Sequence, residues 1–258
     1  MKPSVLILQS DGTNCDKELA FAFELAGAKA EFVHINDLRA KKNSFKNFQI
    51  LALPGGFSYG DDVASGKILA VELTSFFAQE LQAFTKREET LTIGICNGFQ
   101  TLIRTGLLPF HTLGTMHATL TNNDSGHFEC RWIRLKAQKS RCVFLKNEDQ
   151  IGYYAINHGE GKFFADKKAL EKIEKENLVT FRYVDRDGNQ ATTYPDNPNG
   201  ALGAIAGLCD PTGRVFGMMP HPEKFVLPTQ FPNWQRENIK KPHGLFLFEN
   251  MVQFVKQS

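Results

Sequence analysis

The feature that most constrains this chain is the alternation of strand and helix signals through its first half. SVLILQ (4–9) is a buried-strand run. CDKELAFAFELAGA (15–28) carries apolar residues at helical spacing and ends near Gly27, a C-cap residue. KAEFVHI (29–35) and FQILALP (48–54) read as the second and third strands, and GKILAVELTSFFAQELQAF (66–84) as one long amphipathic helix. LTIGIC (91–96) is a fourth strand, followed by a helix from about Gly98 to Thr105. Parallel strands need crossover connections, and the crossover helices must pack back onto the sheet. The expected fold class is therefore α/β, an open and mostly parallel sheet with helices on both faces.

After Pro109 the texture changes to short β runs: alternation at 115–120, FECRWIRL (128–135), RCVFL (141–145) and LVTFRYVD (178–185). The turns DRDG (185–188) and PDNPNG (195–200) break the chain. ALGAIAGLC (201–209) and RVFGMMP (214–220) face each other across DPTG, and a last helix runs from about Leu245 to Val255. With no internal repeat and no low-complexity linker, residues 1–258 read as a single domain, an α/β frame with an antiparallel β excursion inserted. Hydrophobic residues at 42% and charged residues at 22% fit a globular protein rather than a disordered one. A net charge of +2 with no basic stripe argues against nucleic acid. No apolar stretch approaches the roughly 18 residues that span a bilayer, and the start MKPSVLILQ has no signal-peptide pattern, so a cytoplasmic location and no membrane are expected. Cys15, Cys96, Cys130, Cys142 and Cys209 are scattered without a CxxC pair, so neither a disulfide framework nor a metal site is expected.

Three constellations carry chemistry. In GICNG, Gly94 and Gly98 flank Cys96 at the end of a strand and the start of a helix. This is the cysteine form of the G-x-S-x-G elbow, where a strained turn lifts a nucleophile above the sheet edge at which open α/β sheets bind ligands. The helix N-terminus favours thiolate there. Buried free cysteine is the competing reading, and it holds for the other four. In MMPHPE (218–223), two prolines fix the backbone around His221, and Glu223, two residues on, shares its side of an extended segment. A base oriented by a carboxylate is what a thiol nucleophile requires. His34, His111, His117, His127 and His243 have no such setting. In LALPGGFSYGDD (51–62), Gly55 and Gly56 follow a strand and can aim backbone N–H groups at an oxyanion, although Pro-Gly-Gly is also an ordinary turn. The spacing of Gly55, Gly60 and Gly66 does not match a phosphate-binding loop.

Taken in this order, GICNGFQ, PGG and HPE resemble the nucleophile elbow, oxyanion strand and His–Glu pair of the triad-class (class I) glutamine amidotransferases, whose fold is flavodoxin-like. More narrowly, QSDGTNCDKE (9–18), PGGFSYGDD (54–62), CNGFQ (96–100), FECRW (128–132), NHGEGKF (157–163) and MMPHPE (218–223) resemble the glutaminase components of phosphoribosylformylglycinamidine synthases, over nearly the whole chain. The resemblance implies glutamine hydrolysis with Cys96 as nucleophile, His221 as base and acid, and Glu223 as its orienter. It implies an oxyanion hole at the backbone of Gly56 and Asn97. It also implies glutamine binding at Gly55, Gln100 and the segment Asn157, His158 and Gly159. The chain would hold no cofactor. A separate synthetase subunit, with ATP and magnesium and often a small third subunit, would use the ammonia in de novo purine biosynthesis. The loop DVASGK (62–67) departs from the Arg-containing form of many relatives, and 225–244 is longer than usual, with no assigned role.

Two other classes share parts of this pattern. Hydrolases and peptidases of related fold have a cysteine elbow but commonly lack Gln100 and the HPE pair. Non-catalytic regulatory subunits usually lose the Cys or His. The resemblance further implies that the chain alone is a poor glutaminase, since uncoupled turnover wastes glutamine, and that a partner orders its site by shifting a population.

Overall fold

The computed structural model describes residues 2–145, 151–237 and 239–258. The first half builds β1 (Ser4–Gln9), α1 (Asp16–Leu25), β2 (Lys29–His34), α2 (Ile35–Arg39), β3 (Ile50–Leu53), α3 (Lys67–Phe76), α4 (Ala78–Lys86), β4 (Leu91–Ile95) and α5 (Asn97–Thr105). The second half adds β5 (Ala118–Thr121), β6 (Glu129–Ala137), β7 (Ile151–His158), β8 (Lys162–Ala165), α6 (Lys167–Lys175), β9 (Val179–Tyr183), β10 (Ile205–Cys209), β11 (Val215–Met218) and α7 (Leu245–Gln257).

Nine strands form one sheet in the order β2-β1-β3-β4-β11-β10-β9-β6-β7. From β2 to β11 every pairing is parallel; from β11 to β7 every pairing is antiparallel. The excursion therefore does not hang off the α/β frame. It returns through β11 to the middle of the sheet, and among the described residues β5 and β8 form a separate ribbon. Strands β3 and β4 are buried along their whole length, as expected where helices cover both faces. At the far edge β7 alternates buried and partly exposed residues, the pattern of a strand covered on one side.

Two expectations fail. The run 66–84 is not one helix: it breaks at Phe77 (φ −127°, ψ 16°), which ends α3 and starts α4. Phe77 is buried against Phe45, with ring centroids 6.0 Å apart, so packing turns the chain where periodicity reads straight on. RCVFL (141–145) is not a strand. Its apolar side chains Cys142, Phe144 and Leu145 plug the core from a loop. Hydrogen bonds from Val143 N–H to the Gly213 carbonyl (3.1 Å) and from the Asn250 side-chain Nδ2 to the Phe144 carbonyl (2.9 Å) hold it there. No helix among the described residues is long and apolar enough to cross a membrane.

Candidate active site

Cys96 sits between β4 and α5 with φ 51° and ψ −106°, a conformation costly for a residue with a Cβ. Its N–H donates to the Met218 carbonyl of β11 (2.8 Å), and its carbonyl accepts from Gln100 N–H (3.0 Å). The two flanking glycines permit a close approach of helix to sheet. A Cβ on Gly98 would stand 2.0 Å from the Leu53 carbonyl oxygen, and one on Gly94 would stand 2.5 Å from the Gly98 carbonyl oxygen. The elbow is thus fixed by local backbone against the two adjacent central strands.

The base arrives from the other half. His221 follows β11, and its N–H donates to the Ala155 carbonyl of β7 (2.9 Å). Its Nδ1–H donates to Glu223 Oε1 at 2.5 Å, both side chains being fully buried. That bond places the proton on Nδ1 and leaves Nε2 with its lone pair. Nε2 and Glu223 Oε2 have no hydrogen-bond partner among the described residues. Behind this turn lies the segment 225–244, which the sequence left without a role. Phe225 and Phe231 meet Trp132 edge-on, at 5.4 and 5.1 Å between centroids. His243 packs on Phe225 (5.3 Å) and accepts from Tyr153 N–H (2.9 Å), while Gly244 N–H closes the loop on the Phe225 carbonyl (2.9 Å). Phe225, Phe231, His243 and Gly244 of this segment therefore clamp the His–Glu turn onto β6 and β7.

Cys96 and His221 line one cavity of about 230 Å³ with Asn14, Cys15, Gly56, Phe57, Phe128, Asn157 and Lys224. A second cavity of about 570 Å³ shares Phe57 and Phe128 with it and is lined further by Asp61, Ser65, Gly159 and Glu160, among others. Gly55 is buried among the reactive groups: a Cβ there would lie 2.7 Å from His221 Cε1, 3.4 Å from Cys15 Sγ and 3.4 Å from Cys96 Cβ. Residues 12–14 and 55–57 form an antiparallel bridge through Asn14 N–H to the Gly55 carbonyl (3.5 Å) and Phe57 N–H to the Gly12 carbonyl (3.0 Å). In such a bridge the N–H of the central residue, Gly56, turns to the opposite side.

The structure gives the remaining expected residues different situations. The Asn97 side chain is committed: Oδ1 accepts from Ser58 Oγ (2.6 Å), and Nδ2 donates to Asp61 Oδ1 (2.8 Å) and Gln100 Oε1 (3.1 Å). Its backbone is what remains for an oxyanion. Gln100 is buried, and its Nε2 donates to the Glu160 carbonyl (2.6 Å), tying α5 to the 157–161 segment. The Asn157 carbonyl accepts from Cys96 Sγ (3.6 Å), and its side-chain oxygen, in the orientation that satisfies both ends of the amide, accepts from Lys224 Nζ (2.9 Å). Gly159 lines the second cavity, whereas the His158 ring is buried against Asn123 (Nδ1 to Oδ1, 3.2 Å) and lines neither. Burial depresses the His158 pKa to about 3 and holds the ring neutral.

The thiol is the main electrostatic departure. The backbone N–H of Asn97 at the start of α5 favours thiolate. Burial outweighs it, aided by nearby Cys15 and Glu223, and pushes the Cys96 thiol well above its ordinary value of 9.0. The resting group is a thiol, not the thiolate that the helix terminus by itself suggested. Burial likewise pushes Cys15 up to about 12. Sequence reasoning missed five lining residues: Asn14, Cys15, Phe57, Phe128 and Lys224. Lys224 adjoins HPE and Phe57 adjoins PGG, so adjacency to a motif was a usable signal for those two. Phe128 comes in from just before β6, and only the tertiary structure brings it there.

The family described as CobB/CobQ-like glutamine amidotransferase domain matches residues 2–255. The phosphoribosylformylglycinamidine synthase subunit PurQ of Dehalococcoides mccartyi is 45% identical, with 99% of each chain covered. The subunit of the same name from Methanococcus maripaludis is 40% identical over 99% of this chain and 96% of its own. A solved structure of PurLQS from Thermotoga maritima superposes with a TM-score of 0.73 at 27% identity, covering 98% of this chain and 99% of that one. The chain belongs to the CobB/CobQ-like glutamine amidotransferases and, among them, to the PurQ subunits of phosphoribosylformylglycinamidine synthase.

Proposed function

We propose that this chain, as one domain over residues 1–258, hydrolyses glutamine through Cys96, His221 and Glu223 and delivers the ammonia to a synthetase subunit. The observation that carries the reading is the shared cavity of Cys96 and His221, with Nδ1 of the imidazole fixed by Glu223 and Nε2 free to take a proton. His221 Nε2 accepts the Cys96 proton as the sulfur attacks the side-chain amide carbon of glutamine. The oxyanion is met by the backbone N–H groups of Gly56 and Asn97, a contribution of roughly 10²–10³ in rate per donor. Collapse of the tetrahedral intermediate breaks the C–N bond, and His221 returns the proton to the departing ammonia. A water then attacks the γ-glutamyl thioester, giving glutamate and the restored thiol. No step calls for a metal.

Gly55, Gln100 and the Asn157–Gly159 segment set the amino-acid end of the substrate. The cavity behind the Phe57–Phe128 pair, rings 6.2 Å apart, gives that end its space. Gln100 and His158, whose side chains are already engaged, act from behind the lining by holding the 157–161 segment in place. The synthetase, carrying ATP and magnesium and accompanied by a small third subunit, uses the ammonia to convert formylglycinamide ribonucleotide to phosphoribosylformylglycinamidine in the cytoplasm. A thiol held protonated by burial supports a low basal rate that the partner raises.

The test is mass spectrometry after incubation with 6-diazo-5-oxo-norleucine, a glutamine-mimicking electrophile, for wild type and Cys96→Ala, with and without synthetase. One adduct on Cys96, faster with synthetase, is expected. Adducts elsewhere, or none in the presence of synthetase, overturn the reading.

A further inference from the structure

The turn that carries the base also carries a charge that the hydrolysis described above does not use. Lys224 closes the short 3₁₀ turn Pro222–Lys224, directly after Glu223, and lines the cavity of about 230 Å³ with Cys96 and His221. Its ammonium is held at two points: Nζ donates to the side-chain oxygen of Asn157 (2.9 Å) and to Cys15 Sγ. The Cys15 sulfur can accept that bond because its own proton is directed at Asn14 Oδ1 (3.3 Å). Asn157 is the link to the nucleophile. Its side chain meets the ammonium, and its main-chain carbonyl accepts from Cys96 Sγ (3.6 Å). Of the described residues that line this cavity, Lys224 is the one with a permanent charge; Glu223 stands behind His221 and is not part of the lining.

We propose that Lys224 is a positioning residue of the glutaminase reaction: its ammonium, anchored on Asn157 and Cys15, is the fixed positive charge against which the Cys96 sulfur becomes negative. This role rests on the glutaminase reading above. The reason is a count of charges in a buried space. When the proton passes from Cys96 to His221 Nε2, a thiolate and an imidazolium form. Glu223 meets the imidazolium, its Oε1 being 2.5 Å from Nδ1. Burial opposes the thiolate most, then Cys15 and Glu223, whereas the Asn97 N–H and Lys224 favour it. Without Lys224, the thiolate, imidazolium and carboxylate would leave one negative charge uncompensated in a buried pocket, which is costly. With Lys224 the charges sum to zero both before and after the transfer. Lys224 is only partly exposed, so water and salt screen it less than they screen a surface lysine. One turn thus delivers the base, the carboxylate that orients it and the charge that offsets that carboxylate at the sulfur.

The titratable groups that face the Cys96 sulfur are Cys15 from the start of α1, Tyr183 from β9, and His221, Glu223 and Lys224 from the turn after β11. A neighbouring charge of opposite sign is worth about tenfold or more in thiolate. A more basic sulfur is also the better nucleophile and regains part of that loss. Removing the ammonium should therefore slow reaction at Cys96 by about 3- to 10-fold at a given pH.

The experiment is alkylation of Cys96 by iodoacetamide in the purified full chain, followed by mass spectrometry at several values between about pH 7 and pH 9. Lys224→Met, which keeps the length of the side chain without its charge, is expected to react about 3- to 10-fold more slowly than wild type at each pH. Lys224→Arg, which restores the charge, is expected to return to within about twofold of wild type. With synthetase present, Lys224→Met should lose about 10-fold or more in kcat for glutamine while KM stays within about twofold, since Lys224 acts on the sulfur and not on the substrate. Should Lys224→Met fold poorly, Lys224→Gln, which can still bond Asn157, replaces it, with its stability checked by urea titration. Alkylation of the neutral variant at the wild-type rate, or a Lys224→Arg variant as slow as the neutral one, overturns the proposal. A loss confined to KM would make Lys224 a substrate ligand and overturns it as well. Alkylation needs no glutaminase activity, so a wild type that is alkylated at Cys96 yet forms no adduct with 6-diazo-5-oxo-norleucine in the presence of synthetase fails the glutaminase reading alone.

Discussion

The two junctions that supply the reactive pair are built in opposite ways. Cys96 is placed by short-range means: a buried strand, two glycines and a helix start, all within Leu91–Thr105. His221 is placed by long-range means, held to β7 through Ala155 and backed by Trp132, Tyr153, Phe225, Phe231 and His243 from three separate stretches of chain. The first junction carries backbone strain at Cys96 and no slack, whereas the second is as firm as its aromatic packing. A partner that modulates this enzyme would find the second the easier to move.

Four measurements would sharpen or break that contrast. Glu223→Gln keeps the shape of the base junction but removes the charge that fixes the imidazole. It should lower kcat by roughly 10²–10⁴ with little change in urea stability, and an unchanged kcat would remove Glu223 from the mechanism. Gly98→Ala probes the nucleophile junction. Its Cβ meets the Leu53 carbonyl oxygen at 2.0 Å, backbone that cannot yield, so unfolding free energy should drop by more than about 3 kcal/mol in urea titration. Phe231→Ala empties a buried ring site in the clamp and should cost about 3 kcal/mol in the same titration. It should also slow turnover, whereas full kcat at reduced stability would show the base junction to be as self-sufficient as the elbow. The smallest effect is one of pH. With its thiol pKa raised by burial, Cys96 holds less thiolate than an ordinary cysteine at any given pH. Site-resolved alkylation should therefore still be climbing as pH passes 9.0. A plateau below that would mean that the helix terminus, not burial, governs the sulfur.

The parallel half was largely legible because its signals are local. Short apolar runs gave β1, β3 and β4, and the glycines around Cys96 gave the elbow. The misses share one cause. Phe77 breaks a periodic run because a distant ring, Phe45, offers it a buried site, and Cys142–Leu145 forgo strand pairing to plug the core. Strand β7 and helix α6 were not read at all, although the motif NHGEGKF begins within one and ends just before the other.

By itself, the sequence determined the α/β class, the nucleophile at its elbow and the pairing of His221 with Glu223, because each depends on residues a few positions apart. The tertiary structure decided that β11 returns beside β4, which sets the base over the thiol. It placed Cys15, Phe57, Phe128 and Lys224 around the cavity, and it gave Phe225, Phe231, His243 and Gly244 their role as a clamp. It also decided the protonation of Cys96, since the helix terminus is a local effect but burial is the sum of everything that packs around the sulfur.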